Sequence, residues 1–149
     1  MRLIACLPCE KIIIDAKGVP SLITLITTVE IGPIPAEGFP EYAAGPNPWW
    51  VFVLWEGDEN DRGTENVQKI SIHWPDGKEF VQTNTPFVID TPEKPGLKHS
   101  ISSQIIGFPL GQHGDVLIRV WLERDGATLG EAYEYTFFVK HISGVPFVP

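Results

Sequence analysis

Apolar and polar residues alternate along most of this chain with the period of two that places successive side chains on opposite faces of a strand. In Val67–Trp74, Ile70, Ile72 and Trp74 fall on one side and Ser71 and His73 on the other. Val116–Glu123 repeats the pattern with Val116, Ile118, Val120 and Leu122. Glu134–Lys140 does so with Tyr135, Phe137 and Val139. Strands are also expected over 2–9, Lys11–Asp15, Ser21–Ile31, Glu79–Thr83, Thr85–Ile89 and Lys98–Phe108, where β-branched and aromatic residues suit a pleated surface better than a helix. Turns are marked by Pro75-Asp76-Gly77 and by Asp125-Gly126, a strong hairpin signal.

Two segments break the alternation. Trp49–Glu56 (WWVFVLWE) is apolar on both faces, so it is expected to be buried on both sides or to lie under a loop or a partner. Gly32–Pro48 holds five prolines and is expected to be a long loop, with one helical turn near Glu41–Ala44. Asp90–Gly96 reads as a second Pro-rich loop, and Ile142–Pro149 as an apolar tail. The whole predicts an all-β domain over 1–149. It would be a two-sheet antiparallel sandwich of the immunoglobulin or C2 kind, with about eight or nine strands.

Composition narrows the partners. The net charge is −8, and no two of the Lys and Arg residues are adjacent. Phosphate-binding proteins need a basic footprint, so nucleic acid and anionic membrane are not expected partners. No apolar run is long enough to cross a bilayer as a helix. Leu3-Ile4-Ala5-Cys6 has the local form of a lipoprotein cleavage site, but the charged start and apolar stretch of a secretory signal do not precede it. The expected location is cytoplasmic.

No catalytic constellation stands out. His73, His99, His113 and His141 are scattered, and the Gly57–Glu65 loop is acidic. That loop fits a calcium-binding loop poorly, because Arg62 and Lys69 fall where ligands belong. Cys6-Leu7-Pro8-Cys9 has redox spacing, but in a strand the two thiols face opposite ways, and no second pair completes a zinc site. No enzyme activity, cofactor or metal is expected. The five tryptophans carry more information. Trp121 lies between Arg119 and Glu123 on the polar side of its strand. Either the chain's own loops cover it or a partner does.

Several segments resemble a family of small bacterial proteins that share a domain of unknown function. These are Cys9-Glu10, Ile12-Ile13-Ile14-Asp15, Lys17-Gly18, Ser21-Leu22-Ile23, the Pro75-Asp76-Gly77 turn, and Glu123-Arg124-Asp125-Gly126 with Leu129-Gly130-Glu131. The resemblance implies a cytoplasmic β-sandwich and brings no catalytic residues. The first expectation is therefore a non-catalytic interaction module. It would self-associate or bind a protein partner through an outer sheet face, with Trp121, Arg119, the Pro33–Pro48 loop and the C-terminal tail as contacts. A carbohydrate or small-ligand module stacking on Trp49, Trp50 or Trp121 is the second. A thiol redox or metal protein using Cys6 and Cys9 is the third.

Overall fold

A computed structural model describes residues 1–89 and 97–144, and its architecture is all-β. The strands are β1 (Arg2–Ile14), β2 (Pro20–Leu25), β3 (Thr28–Ile34), β4 (Ala44–Gly45), β5 (Trp49–Gly57), β6 (Glu65–His73), β7 (Glu79–Val88), β8 (Leu97–Ile105), β9 (Phe108–Pro109), β10 (Gly114–Arg124) and β11 (Ala127–Ser143). One sheet has the order β2-β1-β5-β8 and the other β3-β11-β10-β6-β7; β4 and β9 form a small third ladder. Residues 90–96, expected as a loop, and 145–149 of the expected tail lie outside the described residues.

The two larger sheets share one core. Trp49, Val51, Val53 and Trp55 of β5 and Ile101 and Ile105 of β8 meet Ile70 and Ile72 of β6, Val116, Ile118, Val120 and Leu122 of β10, and Phe137 and Val139 of β11. Those of β6, β10 and β11 are periodic positions named from the alternation, whereas in β5, apolar on both faces, only the structure shows which face is core. Both turns form as their residues require. Asp125 and Gly126 both take positive φ (52° and 78°), which fits a tight hairpin between Arg124 and Ala127. Gly77, at φ 88°, closes the Trp74–Lys78 turn.

Several boundaries differ from the expected ones, each because a ladder continues or changes hands. Residues 2–14 form one strand, since β1 pairs with β5 over Arg2–Cys9 and with β2 over Cys9–Ile14. Ser21–Ile31 is two strands in different sheets. The chain leaves the first sheet at Ile26, whose N–H still donates to Pro8 O (2.8 Å), and joins the second as β3. There β3 runs parallel to the end of β11, so the architecture is not wholly antiparallel. The strand expected over Lys98–Phe108 breaks at Gly107 (φ 88°) into β8 and β9. Glu79–Val88 is unbroken as β7, and β11 begins seven residues before Glu134, at Ala127.

The Pro-rich segment is less irregular than its prolines suggest. It opens as the end of β3, across a cis Gly32–Pro33 bond, and contains β4. A single turn joins Ala43 N–H to Pro40 O (3.0 Å) where the helical turn was expected. The Ala43 carbonyl then accepts from Leu110 and Gly111. A Cβ on Gly111 would lie 2.3 Å from the Glu41 carbonyl oxygen, so only glycine permits this approach. Tyr42 Oη donates to Asp76 (2.6 Å) and packs edge-on against Trp74, fastening the segment over that tryptophan.

Candidate functional site

Trp121, the residue expected to mark a binding face, is half-buried within a polar network. Its indole N–H donates to Glu123 (3.3 Å), Lys69 pairs with Glu123 (3.3 Å), and Arg119 pairs with Glu134 (3.2 Å). Around Trp121 the outer face of the second sheet is thus a charged surface whose nearest charges form ion pairs. Arg119 is exposed but committed to Glu134.

Trp49 corrects the expectation of an exposed stacking platform. It is 1% exposed, donates its indole N–H to Gly107 O (2.8 Å) and packs on Phe108 and Phe137. Its place on the inward side of β5, in line with Val51 and Val53, dictates this. Trp50 points the other way and is half-buried.

That other side is where β5 remains apolar. Trp50, Phe52 and Leu54 face outward, and the register sets them beside Cys9, Leu7 and Ala5 of β1 and beside Gln104, Ser102 and Ser100 of β8. Phe52 and Cys9 are buried there and Trp50 and Leu54 half-buried, and the exposed apolar side chains lie beyond them, on the β1–β2 hairpin. Beyond Cys9, β1 pairs with β2 alone, so residues 10–25 project as a two-stranded ribbon. No residue from Glu10 to Leu25 is buried. Ile13, Ile23 and Leu25 fall on one side of the ribbon and Ile12, Ile14 and Leu22 on the other. Ile14 is 56% exposed and Val19 54%. At the tip, Asp15 Oδ1 accepts from the N–H groups of Lys17 and Val19 (both 2.8 Å) and holds the turn. An isolated two-stranded ribbon is marginal in water, and one apolar on both sides is more so. The signal was present in Ile12-Ile13-Ile14, three consecutive apolar residues that serve both faces.

The acidic loop holds a feature that sequence reading missed. Asp61, at the end of a 3-10 turn (Glu59–Asp61), is 4% exposed. Its carboxylate meets Arg124 Nη2 (2.7 Å), the Met1 amine (3.1 Å) and the Asp58 N–H (3.0 Å). Burial pushes its pKa up, but the Arg124 hydrogen bond, the Asp58 N–H and the Met1 amine together hold it below the usual carboxylate value. Arg124 Nε also donates to Asn66 (3.0 Å). The loop is therefore tied inward by an ion cluster rather than solvated throughout. Among the described residues, no three His, Cys, Asp or Glu side chains form a group able to hold a metal.

Cys6 and Cys9 lie in mid-strand as free thiols, Cys6 on the core side and Cys9 on the outer side of β1. Burial pushes the Cys6 thiol up to about 12. Burial also raises Cys9, against a weaker opposing hydrogen bond from the Lys11 N–H. Thiolate chemistry needs the opposite shift.

Where the ribbon leaves the body of the protein, the two sheets part. A cleft of about 480 Å³ opens between them, lined by Glu10, Ile26, Val29, Ile31, Trp49 and Phe108 among others. No helix among the described residues is long and apolar enough to cross a membrane. The chain matches no family model, no curated protein and no solved structure.

Proposed function

We propose that this chain is a non-catalytic interaction module, an immunoglobulin-like two-sheet β-sandwich that pairs with a second copy of itself through the β1–β2 ribbon and the adjoining outer face of the first sheet. The observation that carries the reading is the ribbon: sixteen residues, from Glu10 to Leu25, with none buried and apolar side chains on both sides. Fully burying an aliphatic side chain is worth about 1.5–3 kcal/mol. Half-exposed Ile13, Ile23 and Leu25, which share the outer side of the ribbon, thus retain about 1 kcal/mol each for an interface to realise.

Charge favours a second copy. The protein carries −8 overall, but the ribbon balances Glu10 and Asp15 against Lys11 and Lys17. Two copies meeting there add little repulsion, and one patch can serve both partners about a two-fold axis. The matched charges around Trp121 and Arg119 suit a solvated face better, so the docking surface moves from there to the first sheet. Trp50, expected as a ligand-stacking residue, becomes in this reading a contact at the base of the ribbon. Two free thiols support a reducing compartment such as the cytoplasm. The likeness to small bacterial β-sandwich proteins fits the same reading, since its segments fall on the ribbon and the turns.

Light scattering on the eluting protein tests this. Wild type is expected to approach twice the 16.6 kDa chain mass as concentration rises, and Ile13→Lys/Ile23→Lys to stay monomeric. Trp121→Ala is expected to associate like wild type. A wild type that stays monomeric at every concentration contradicts the proposal.

A further inference from the structure

The cleft at the root of the ribbon carries a second, independent reading. Glu10 breaks the binary pattern of β1. Cys6 pairs across from Val53 and Pro8 from Val51, both core residues. The β5 ladder ends at Cys9, but the alternation of β1 puts Glu10 on the same side as Cys6 and Pro8, and it lines the cleft together with Trp49. It therefore stands on the core-facing side of the strand, where an apolar residue would let the sheets close. Sequences that break their own pattern without a local gain do so at functional positions.

The surroundings give the carboxylate no partner. Among the described residues Glu10 makes no ion pair and no side-chain hydrogen bond. Ile26 marks the crossing from β2 to β3, Val29 and Ile31 of β3 form one wall, and Trp49 and Phe108 form another. Glu10 is the one ionisable side chain in the lining, and Asn47 adds a single amide. The volume falls within the range of small-molecule sites, about 300–1,000 Å³, which pair an apolar lining with a few polar groups.

We infer that this cleft binds a small molecule with an apolar body and one protonated amine, the body against Val29, Ile31 and Phe108 and the ammonium at Glu10. An anion would meet a carboxylate with no cation to balance it. A sugar would bring many hydroxyls to a lining with two polar side chains, leaving most of them unpaired.

The test uses the whole protein, isotope-labelled for NMR, with n-hexylamine as probe and 1-hexanol, hexanoate and a methyl glucoside as controls. Hexylamine should saturably shift the amides of Trp49, Phe108 and Val29, more tightly than hexanol, while hexanoate and the glucoside leave them unmoved. Glu10→Gln, at an exposed position that preserves shape, should weaken hexylamine about fivefold and leave hexanol unchanged. Val29→Phe, which fills the cleft, should abolish both, with its melting curve showing that it still folds. Equal binding of amine and alcohol, no change in Glu10→Gln, or shifts from the glucoside alone would overturn the inference.

Discussion

Replacing Arg124 with Met probes the ion cluster that anchors the acidic loop. Methionine keeps much of the stem and removes the guanidinium. Breaking a buried ion pair by deleting one partner costs about 3–5 kcal/mol. Two features reduce that here: Asp61 keeps the Met1 amine and the Asp58 N–H, and the Arg124 side chain is 25% exposed. One feature adds to it, since Asn66, fully buried, loses the donor to its Oδ1. The expected loss is about 2–3 kcal/mol, or a melting temperature lower by about 4–12 °C in a chain of this length. Urea and thermal unfolding at neutral pH measure it.

The pH dependence supplies a sharper check. The folded pKa of Asp61 lies below its unfolded value, so its contribution is complete above about 3.9 and is lost as pH falls through the lower folded value. Without Arg124 that depression shrinks or reverses. The stability gap between wild type and Arg124→Met should therefore narrow below about pH 4. Asp61→Asn with Arg124→Met should also cost less than the two single changes summed, because each removes the same pair. A gap under about 0.5 kcal/mol at neutral pH, or one constant into acid, would refute the reasoning.

Three further outcomes follow from single residues. Ser103 Oγ is buried in the first sheet without a hydrogen-bond partner among the described residues, so Ser103→Ala should leave unfolding stability unchanged or raise it by about 1 kcal/mol in urea titrations. Thr24 holds φ 52° at the root of the ribbon, a conformation that strains a β-branched residue; Thr24→Gly should raise the melting temperature, by the equivalent of about 1 kcal/mol. His99 stacks on Phe87 with centroids 4.8 Å apart, and burial holds its pKa below the usual imidazole value. Its folded form resists protonation, so stability should fall as pH drops below about 6.5, and His99→Phe should flatten that part of the melting-temperature profile.

Alternation and turn chemistry made the core strands legible, because Ile70, Ile72, Val116, Ile118, Val120 and Phe137 obey a period that one buried face imposes. What stayed hidden depended on partners distant in sequence. The split of Ser21–Ile31 between sheets depends on which neighbours offer ladders on either side of Ile26, and nothing local in Leu25-Ile26-Thr27 records that. Trp49 and Trp50 are adjacent and alike, and only register decides that one is core and the other outer. Asp61 looked like one carboxylate in a solvated run, since Arg124 is distant along the chain. The ribbon was half legible. Ile12-Ile13-Ile14 showed two apolar faces, but not that the β5 ladder stops at Cys9 and leaves both faces bare.

Amide hydrogen exchange over residues 11–25, followed as protein concentration rises, tests the ribbon most directly. A ribbon docked on a second copy should show protection that grows with concentration and disappears in Ile13→Lys/Ile23→Lys. Rapid exchange in wild type at every concentration, equal to that of the double variant, would contradict the account.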